Sequence, residues 1–508
     1  MSKTSPNSID DISPADWNKT PESVKRLVKN LIGQISQRIG ALEEQCSELK
    51  AENQLLKEQI KLNSKNSSKS PSQDLSKGFK PKPKEQGKKK LGGQPGHKGH
   101  ERPFYPIEQC QSVQDYYPER CIECGAALGR EEGEAYRVQI VEIPKVEPQV
   151  SEHRFHCRGC EHCGALTRAW DEGIINGSGY GERVVAHVAV LSGQYRQSHQ
   201  MVQELMDELF GVKISVGSIN RLRQESSEAV APVVDEAHEY VRGQQSVNMD
   251  ETSFAQGNGD GNNPSRRKGW LWVMVTPLVS YFGVFLGRSQ AVCQQMLGET
   301  FDGIIGSDRF SAYNNLSLEQ RQVCWAHLKR DFTRIAERSG VSGELGQALL
   351  AQQKLLFELW YKVRDGTLSR KDFLLIVAPI QQQIHHLLEE GASYDIAQGE
   401  KTPLAKTVRT CVQLLKVESA LWTFVSTEGV EPTNNAAERA LRPAVLWRKN
   451  SFGSQSQAGS LFVSRMLTVV TTLRSQNRPV LDYLVEACRA ARQGKLPQSL
   501  LPAESSTP

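Results

Sequence analysis

Five of the chain's 11 cysteines lie between Cys121 and Cys163. Four of them form two copies of one pattern, Cys121-Ile-Glu-Cys124-Gly125 and Cys160-Glu-His-Cys163-Gly164. Each reads as a tight knuckle whose glycine relieves the backbone as two thiolates converge, and four thiolates in tetrahedral array suit a structural Zn2+. Such a closed site leaves no position open for substrate, so this metal is expected to hold shape. The register stays open at Cys157, because Cys157 and Cys160 also make a C-x2-C pair; the glycine after Cys163 favours Cys160 with Cys163. The other cysteines are scattered and read as buried thiols. Cys324 stands three residues before His327, a spacing that fits a metal or active-site pair and fits equally a core strand running into a helix. Asp250 and Asp308 each close a strand-like run, where side chains emerge from a sheet edge into a cleft. Taken singly, either is as well explained as a turn or cap. Glu251 follows Asp250 directly, and the two-residue strand period turns it to the opposite face, leaving Asp250 the better ligand.

The elements that must position these residues are legible as periodicities. SVNMDETSF, KGWLWVMVTP, VSYFGVFLG and GIIGSDRF read as four strands, with a helical SQAVCQQMLGE before the last, and suggest a mixed sheet. Trp270 and Trp272 alternate as a buried strand would. YRVQIVEI and PQVSEHRFH read as strands between the knuckles, giving a zinc-ribbon-like module. In SHQMVQELMDELFGVKISVGSINRLRQES, Val202, Leu205, Met206 and Leu209 form an apolar face, Gly211 breaks the helix and Ser215 caps the next. That second helix would present Ser218, Asn220, Arg221 and Arg223 to phosphates or base edges, as a helix-turn-helix does; two packed helices of no special function are the rival. From about Lys329 to Val425 the pattern is helical again.

The N-terminal part differs in kind. Val28, Ile35, Leu42, Leu49 and Leu56 recur every seven residues, with Ile32, Ile39, Cys46, Asn53 and Ile60 as a second series, the d and a positions of a coiled coil. Asn53 in the seam favours a parallel homodimer. Between Lys61 and Arg102 stand 12 Lys or Arg against three acidic residues. Such an arm condenses on phosphate without reading bases, or serves as a solvated linker. The whole chain of 508 residues carries 62 basic and 58 acidic side chains, a net charge of +4, so total charge alone does not mark a nucleic-acid binder. No run of apolar residues is long enough for a membrane span and no signal peptide begins the chain, so a cytoplasmic protein is expected.

In this order the zipper, SSKSPSQD, GGQPGHKG, the knuckles, MDET, SDRFSAY, CWAHLKRDF and PTNNAAERALRPAVLWRKNSFGS together resemble bacterial transposases of the insertion-sequence-66 family over nearly the whole chain. That resemblance implies an RNase H-like core with a DDE triad, which maps onto Asp250, Asp308 and Glu438, and a helical insertion filling the long gap before Glu438. It also implies DNA as partner and small companion proteins of the same element. Three carboxylates suit two Mg2+ or Mn2+ ions that grip the scissile phosphate. Glu438 and Arg442, four apart, share a helix face on which Arg442 would steer phosphate or form an ordinary ion pair; Lys329, Arg330, Arg439, Arg448 and Lys449 are further DNA-contact candidates.

The expected fold class is multidomain α+β: a coiled-coil helix (20–62), a basic disordered linker (63–104), a zinc-binding domain (105–172), a helical DNA-binding region (173–242), an RNase H-like α/β catalytic core in two parts (243–328 and 429–490) around a helical insertion (329–428), and a tail (491–508). The expected activity is strand cleavage and strand transfer. The rivals are a silent zinc-containing DNA-binding regulator and a Mg2+-dependent nuclease that never joins ends.

Overall fold

The computed structural model describes residues 14–63, 65–67, 102–129, 133–171, 174 and 178–502. The chain divides into two compact units, one of Met1–Phe79, Val234–Gln476 and Leu500–Pro508, the other of Lys80–Val233 and Asn477–Ser499. Most of the expected basic linker lies outside the described residues. Among the described residues no helix is long and apolar enough to cross a membrane.

A short helix α1 (Pro14–Lys19) precedes α2 (Glu22–Lys61), which runs unbroken for 40 residues. Along it Ile35, Leu42 and Leu49 are each more than half exposed, so within one chain these heptad positions are left uncovered.

In the other unit the knuckle region carries two tight turns but little regular structure. The ladder is a short antiparallel hairpin of β1 (Cys157–Gly159) and β2 (Leu166–Arg168). The strands expected at 136–143 and 148–156 do not form: those segments carry no regular secondary structure and join no ladder. Their alternating Val138, Ile140, Ile143 and Val150 are exposed, so the pattern has no second surface to bury it. Helices α3 (Glu182–Ala189), α4 (His199–Phe210) and α5 (Val216–Ala229) follow. Ser198 and Ser215 cap α4 and α5 by accepting the Met201 and Ser218 N–H groups, and Gly211 ends α4 in the left-handed region. Val202 and Met206 are buried there as expected, whereas Leu209 is exposed. The helix Val480–Arg492 belongs with this unit and not with the sheet. Its Cys488 sits among Val185, Val188 and Leu222, and Arg492 pairs with Glu182 and Glu225.

After α6 (Ala231–Arg242) comes a five-stranded mixed sheet. Its strands are β3 (Ser246–Ser253), β4 (Trp270–Val275), β5 (Ser280–Phe285), β6 (Ile304–Ser307) and β7 (Arg321–Val323), with α7 (Gln290–Leu297) between β5 and β6. The order is β5-β4-β3-β6-β7: the first three pair antiparallel, while β3, β6 and β7 run parallel. Gly306 sits where β6 meets β3, and a Cβ there would come within 2.5 Å of the Asn248 Oδ1. Trp272 is fully buried in β4. Helices α8 (Trp325–Ala336), α9 (Val341–Arg364), α10 (Arg370–Ala392), α11 (Pro403–Leu415) and α12 (Thr423–Ser426) form the insertion around Trp360, Phe373 and Phe424. Then α13 (Asn435–Ser451) packs on β3 and β4, and α14 (Gln457–Ser475) on the edge strand β5. There Thr472 and Thr468 hydroxyls accept the Ser280 and Phe282 N–H groups at 3.1 and 3.0 Å. This covers an edge that would otherwise offer itself for pairing.

Candidate active site at the centre of the sheet

Strand register brings the two aspartates together. Asn248 pairs with Gly306 at the last rung of the parallel β3–β6 ladder; Asp250 and Asp308 each lie two residues beyond it, near enough for the Asp308 charge to act on the Asp250 carboxyl. The Asp250 carboxyl is held well above its ordinary range, first by burial, then by the like charges of Glu251, Asp308 and Glu438. Its Oδ1 accepts the Glu251 N–H at 2.8 Å, and the Asp308 Oδ1 accepts the Phe310 N–H at 2.8 Å. Glu251 points away, as the strand period requires. There its buried carboxylate pairs with Arg288 and accepts the Tyr313 hydroxyl, tying the strand of one aspartate to the loop that follows the other.

Glu438 arrives on the first turn of α13, whose entry is fixed by Asn434. That buried side chain donates to the Met249 carbonyl at 2.7 Å, one residue from Asp250. The Asn434 N–H donates to the Cys324 Sγ at 3.1 Å. Cys324 is therefore a buried bracket between α8 and α13, its thiol pushed up to about 11 by burial. His327, by contrast, stands at the acidic cluster: its Nε2 is 3.7 Å from the Glu438 Oε1 and accepts from Arg330 at 3.2 Å. Accepting there leaves the ring proton on Nδ1, which is buried without a partner among the described residues. Burial, then Arg330, hold His327 below its usual range, so it is a neutral ring. Arg330 also reaches Glu438 at 3.4 Å. Its cationic group faces Glu438, which helical spacing alone did not reveal. Among the described residues no three His, Cys, Asp or Glu side chains are gathered closely enough to hold a metal ion. Asp250 and Asp308 are neighbours while Glu438 is engaged by Arg330 and His327.

The remaining candidates separate. Lys329, Arg439, Arg442 and Lys449 are exposed, and the ion pairs of Glu438 run to α8 and not to Arg442. Arg448 turns inward, giving hydrogen bonds to the Thr252 and Ser253 hydroxyls and the Ser253 carbonyl at 2.6–2.8 Å. In the other unit Arg221 is exposed and donates to the Ser178 carbonyl at 2.8 Å. Arg223 is packed against His199, its guanidinium pushed down to about 10 by burial.

The two knuckles are alike in backbone. Cys121 and Cys160 N–H groups donate to Ala126 and Ala165, and the Gly125 and Gly164 N–H groups return to Cys121 and Cys160, all at 2.8–2.9 Å. Both glycines take a φ near +70°, which a side chain would strain. Backbone N–H groups of Glu123 and Cys124, and of His162 and Cys163, lower the Cys121 and Cys160 thiols. Cys157 stands apart on β1, its Sγ accepting from Arg168 at 3.2 Å. The backbone thus repeats one knuckle at Cys121/Cys124 and Cys160/Cys163.

Two curated relatives, both from Sinorhizobium fredii (strain NBRC 101917 / NGR234), resemble the chain. Uncharacterized protein y4qI is 25% identical over 339 residues, covering 62% of this chain and 60% of its own length. Uncharacterized protein y4hP is 23% identical over 390 residues, covering 70% and 68%. The chain thus spans less than two thirds of the first relative. Residues 12–103 match a family of unknown function, DUF6444. Residues 177–461, more than half of the chain and inclusive of Asp250, Asp308 and Glu438, match the transposase IS66 family, and the chain therefore belongs to that family.

Proposed function

We infer that the chain is a DDE transposase that binds transposon ends and carries out strand cleavage and strand transfer, with Asp250, Asp308 and Glu438 as its catalytic carboxylates on an RNase H-like core. The observation that supports this reading is geometric: the β3–β6 ladder leads Asp250 and Asp308 to neighbouring positions, where burial first, and then the like charges of Glu251, Asp308 and Glu438, raise the Asp250 carboxyl. Such a cluster is unfavourable by itself and is relieved by a hard cation with oxygen ligands. Carboxylate oxygens are the donors that Mg2+ or Mn2+ takes; Asp250 and Asp308 stand together, while Glu438 is held by Arg330 and His327 and would have to turn from them to join a shared ion. Asp250, Asp308 and Glu438 would hold two ions, which when bound supply positive charge at the scissile phosphate and an activated attacking oxygen. The chain's own part is to set the two aspartates side by side by strand register and to bring Glu438 in on a helix pinned through Asn434. Arg330 balances Glu438 meanwhile, and neutral His327 lines the same wall without adding charge.

The accessory parts follow the same account. Cys121, Cys124, Cys160 and Cys163 would hold a structural Zn2+, with Cys157 as the alternative ligand. Exposed Arg221, Lys329, Arg439, Arg442 and Lys449 are the DNA contacts of choice, and Arg448 and Arg223 are the weaker candidates because their guanidinium groups are partly buried and turned inward. The uncovered heptad positions of α2 would pair with a second copy, since two ends must be held together for joining. The protein would act in the cytoplasm, with companion proteins of the same element.

Purified chain incubated with labelled candidate ends, Mg2+ and target DNA tests the proposal. Asp250→Asn, Asp308→Asn and Glu438→Gln should each abolish cleavage while end binding persists. Full cleavage by any of them removes that carboxylate from the triad, and cut but never joined ends make the chain a nuclease.

A further inference from the structure

The segment after α2 reads as solvated linker, yet Asn66 is 1% exposed. Its Oδ1 accepts the Asn63 N–H at 2.8 Å, and the Ser67 hydroxyl donates to the Asn63 carbonyl, so the chain folds into a small turn of its own. That turn is seated on α8. The Asn66 Nδ2 donates to the Glu337 Oε2, and the Asn66 carbonyl accepts from the Arg334 Nε at 2.9 Å.

What makes the seat consequential is the flank of α8 on which it lies. His327, Arg330, Asp331, Arg334 and Glu337 recur at three- and four-residue steps and so share one side of the helix. From the seat, Arg334 reaches Asp331 at 3.0 Å, and Asp331 pairs with Arg309, the residue next to Asp308. One turn earlier, Arg330 meets Glu438. A line of partners therefore runs from the linker through Arg334 and Asp331 to Arg309, next to Asp308, while Arg330 on the same flank separately meets Glu438, over roughly two helical turns, about 11 Å. The turn begins two residues after α2 ends at Lys61.

We propose that residues 63 and 65–67 fasten the end of the long N-terminal helix to α8, and that Asn66 is a positioning residue which, through Arg334 and Asp331, holds the Arg309 side chain and with it the loop that carries Asp308. The seat gives the long helix a fixed mechanical hold on the helix that carries His327 and Arg330. Its catalytic consequence rests on the DDE reading above; the seat itself does not.

The test uses the full chain and two readouts. Asn66→Asp sets a carboxylate against Glu337 where a donor had been. When Asn66→Asp is combined with Glu337→Gln, the new glutamine amide can donate to the carboxylate introduced at position 66, restoring the contact with reversed polarity. Tryptic cleavage of the Lys65–Asn66 bond, followed by mass spectrometry, reports release of the turn, because cutting follows the open population. In the substituted chains the same bond, after Lys65, is followed. Mg2+-dependent cleavage per bound DNA end reports the site. Asn66→Asp should be cut about tenfold faster by trypsin and should cleave DNA about tenfold more slowly, and the double variant should recover both. Trypsin rates equal to the unsubstituted chain overturn the seat. Faster trypsin cutting with an unchanged DNA-cleavage rate overturns the positioning role. If the unsubstituted chain cleaves no DNA, the DDE reading fails by itself, and trypsin still decides whether the turn is seated.

Discussion

Asn434 allows the site's geometry to be separated from the fold's stability. Its Nδ2 satisfies the Met249 carbonyl at 2.7 Å, while its Oδ1 is buried without a partner among the described residues. It precedes α13 without capping it through its side chain. In Asn434→Ala the Met249 carbonyl loses its donor, a cost of roughly 1–3 kcal/mol, but an unpaired buried oxygen of similar cost is removed as well. The two terms oppose, so urea midpoints should place the variant within about 1 kcal/mol of the unsubstituted protein. The rate should not be spared. Asn434 fixes the entry of the helix bearing Glu438 against the strand bearing Asp250, and a shift of about 1 Å in such a constellation costs on the order of 100-fold. Asn434→Asp should be far worse for stability, because it sets a carboxylate against a carbonyl and adds another negative charge near Asp250. Denaturation in urea and single-turnover cleavage of end DNA decide the matter. An Ala variant that cuts at the normal rate, or an Asp variant as stable as the Ala variant, refutes the positioning argument.

Two other outcomes follow from the same charges and thiols. In chelator, the raised Asp250 carboxyl means that the folded state holds a proton the unfolded chain releases near pH 4. Stability from this group is thus present in acid and lost as pH rises through its elevated folded value. Asp250→Asn should flatten that decline in thermal scans, and an unchanged slope would place the repulsion elsewhere. For the knuckles, bound zinc measured by elemental analysis should fall in Cys160→Ser and persist in Cys157→Ser; the reverse result moves the ligand to Cys157.

How far the sequence could be read depended on whether a residue's role was periodic or tertiary. Strands β3 to β6 were legible because their apolar residues alternate or run together between turn signals. Strand β7 was legible only as one of two readings of Cys324 and His327, a core strand running into a helix: Arg321-Gln322-Val323 is short and polar, and its buried Gln322 finds the Leu421 carbonyl and the Phe424 N–H. The reverse error occurred between the knuckles, where good alternation met no second surface. The helix-turn-helix punctuation was legible to the residue at Ser215 and Gly211, since caps are local. The opposite faces of Asp250 and Glu251 were legible from strand period alone. That Asp308 lies near Asp250 depends on ladder register, and that Glu438 meets Arg330 and His327 depends on the packing of α13 beside α8. Neither leaves a mark in local spacing; the three proposed carboxylates were legible as members of motifs, not as geometry.

The long interval between Asp308 and Glu438 would be a poor way to build a site if its length entered the site's geometry. It does not. The chain leaves the sheet at Cys324 and returns at Pro432, and these two ends are bonded to each other: the Trp325 N–H donates to the Pro432 carbonyl at 2.9 Å and the Asn434 N–H to the Cys324 Sγ at 3.1 Å. Between them the helices bury their own aromatic core, with the Trp325 indole N–H satisfied by the Leu421 carbonyl at 2.8 Å. Closing a loop costs free energy only as the logarithm of its length, and an insertion with its own core recovers that cost by itself. What reaches the carboxylates is therefore the first helix of the insertion, α8, and the bracket at its ends. Residues deep in the insertion act on cleavage only if they move α8, whereas Cys324, Pro432 and Asn434, though remote in sequence, define the distance from Glu438 to the two aspartates.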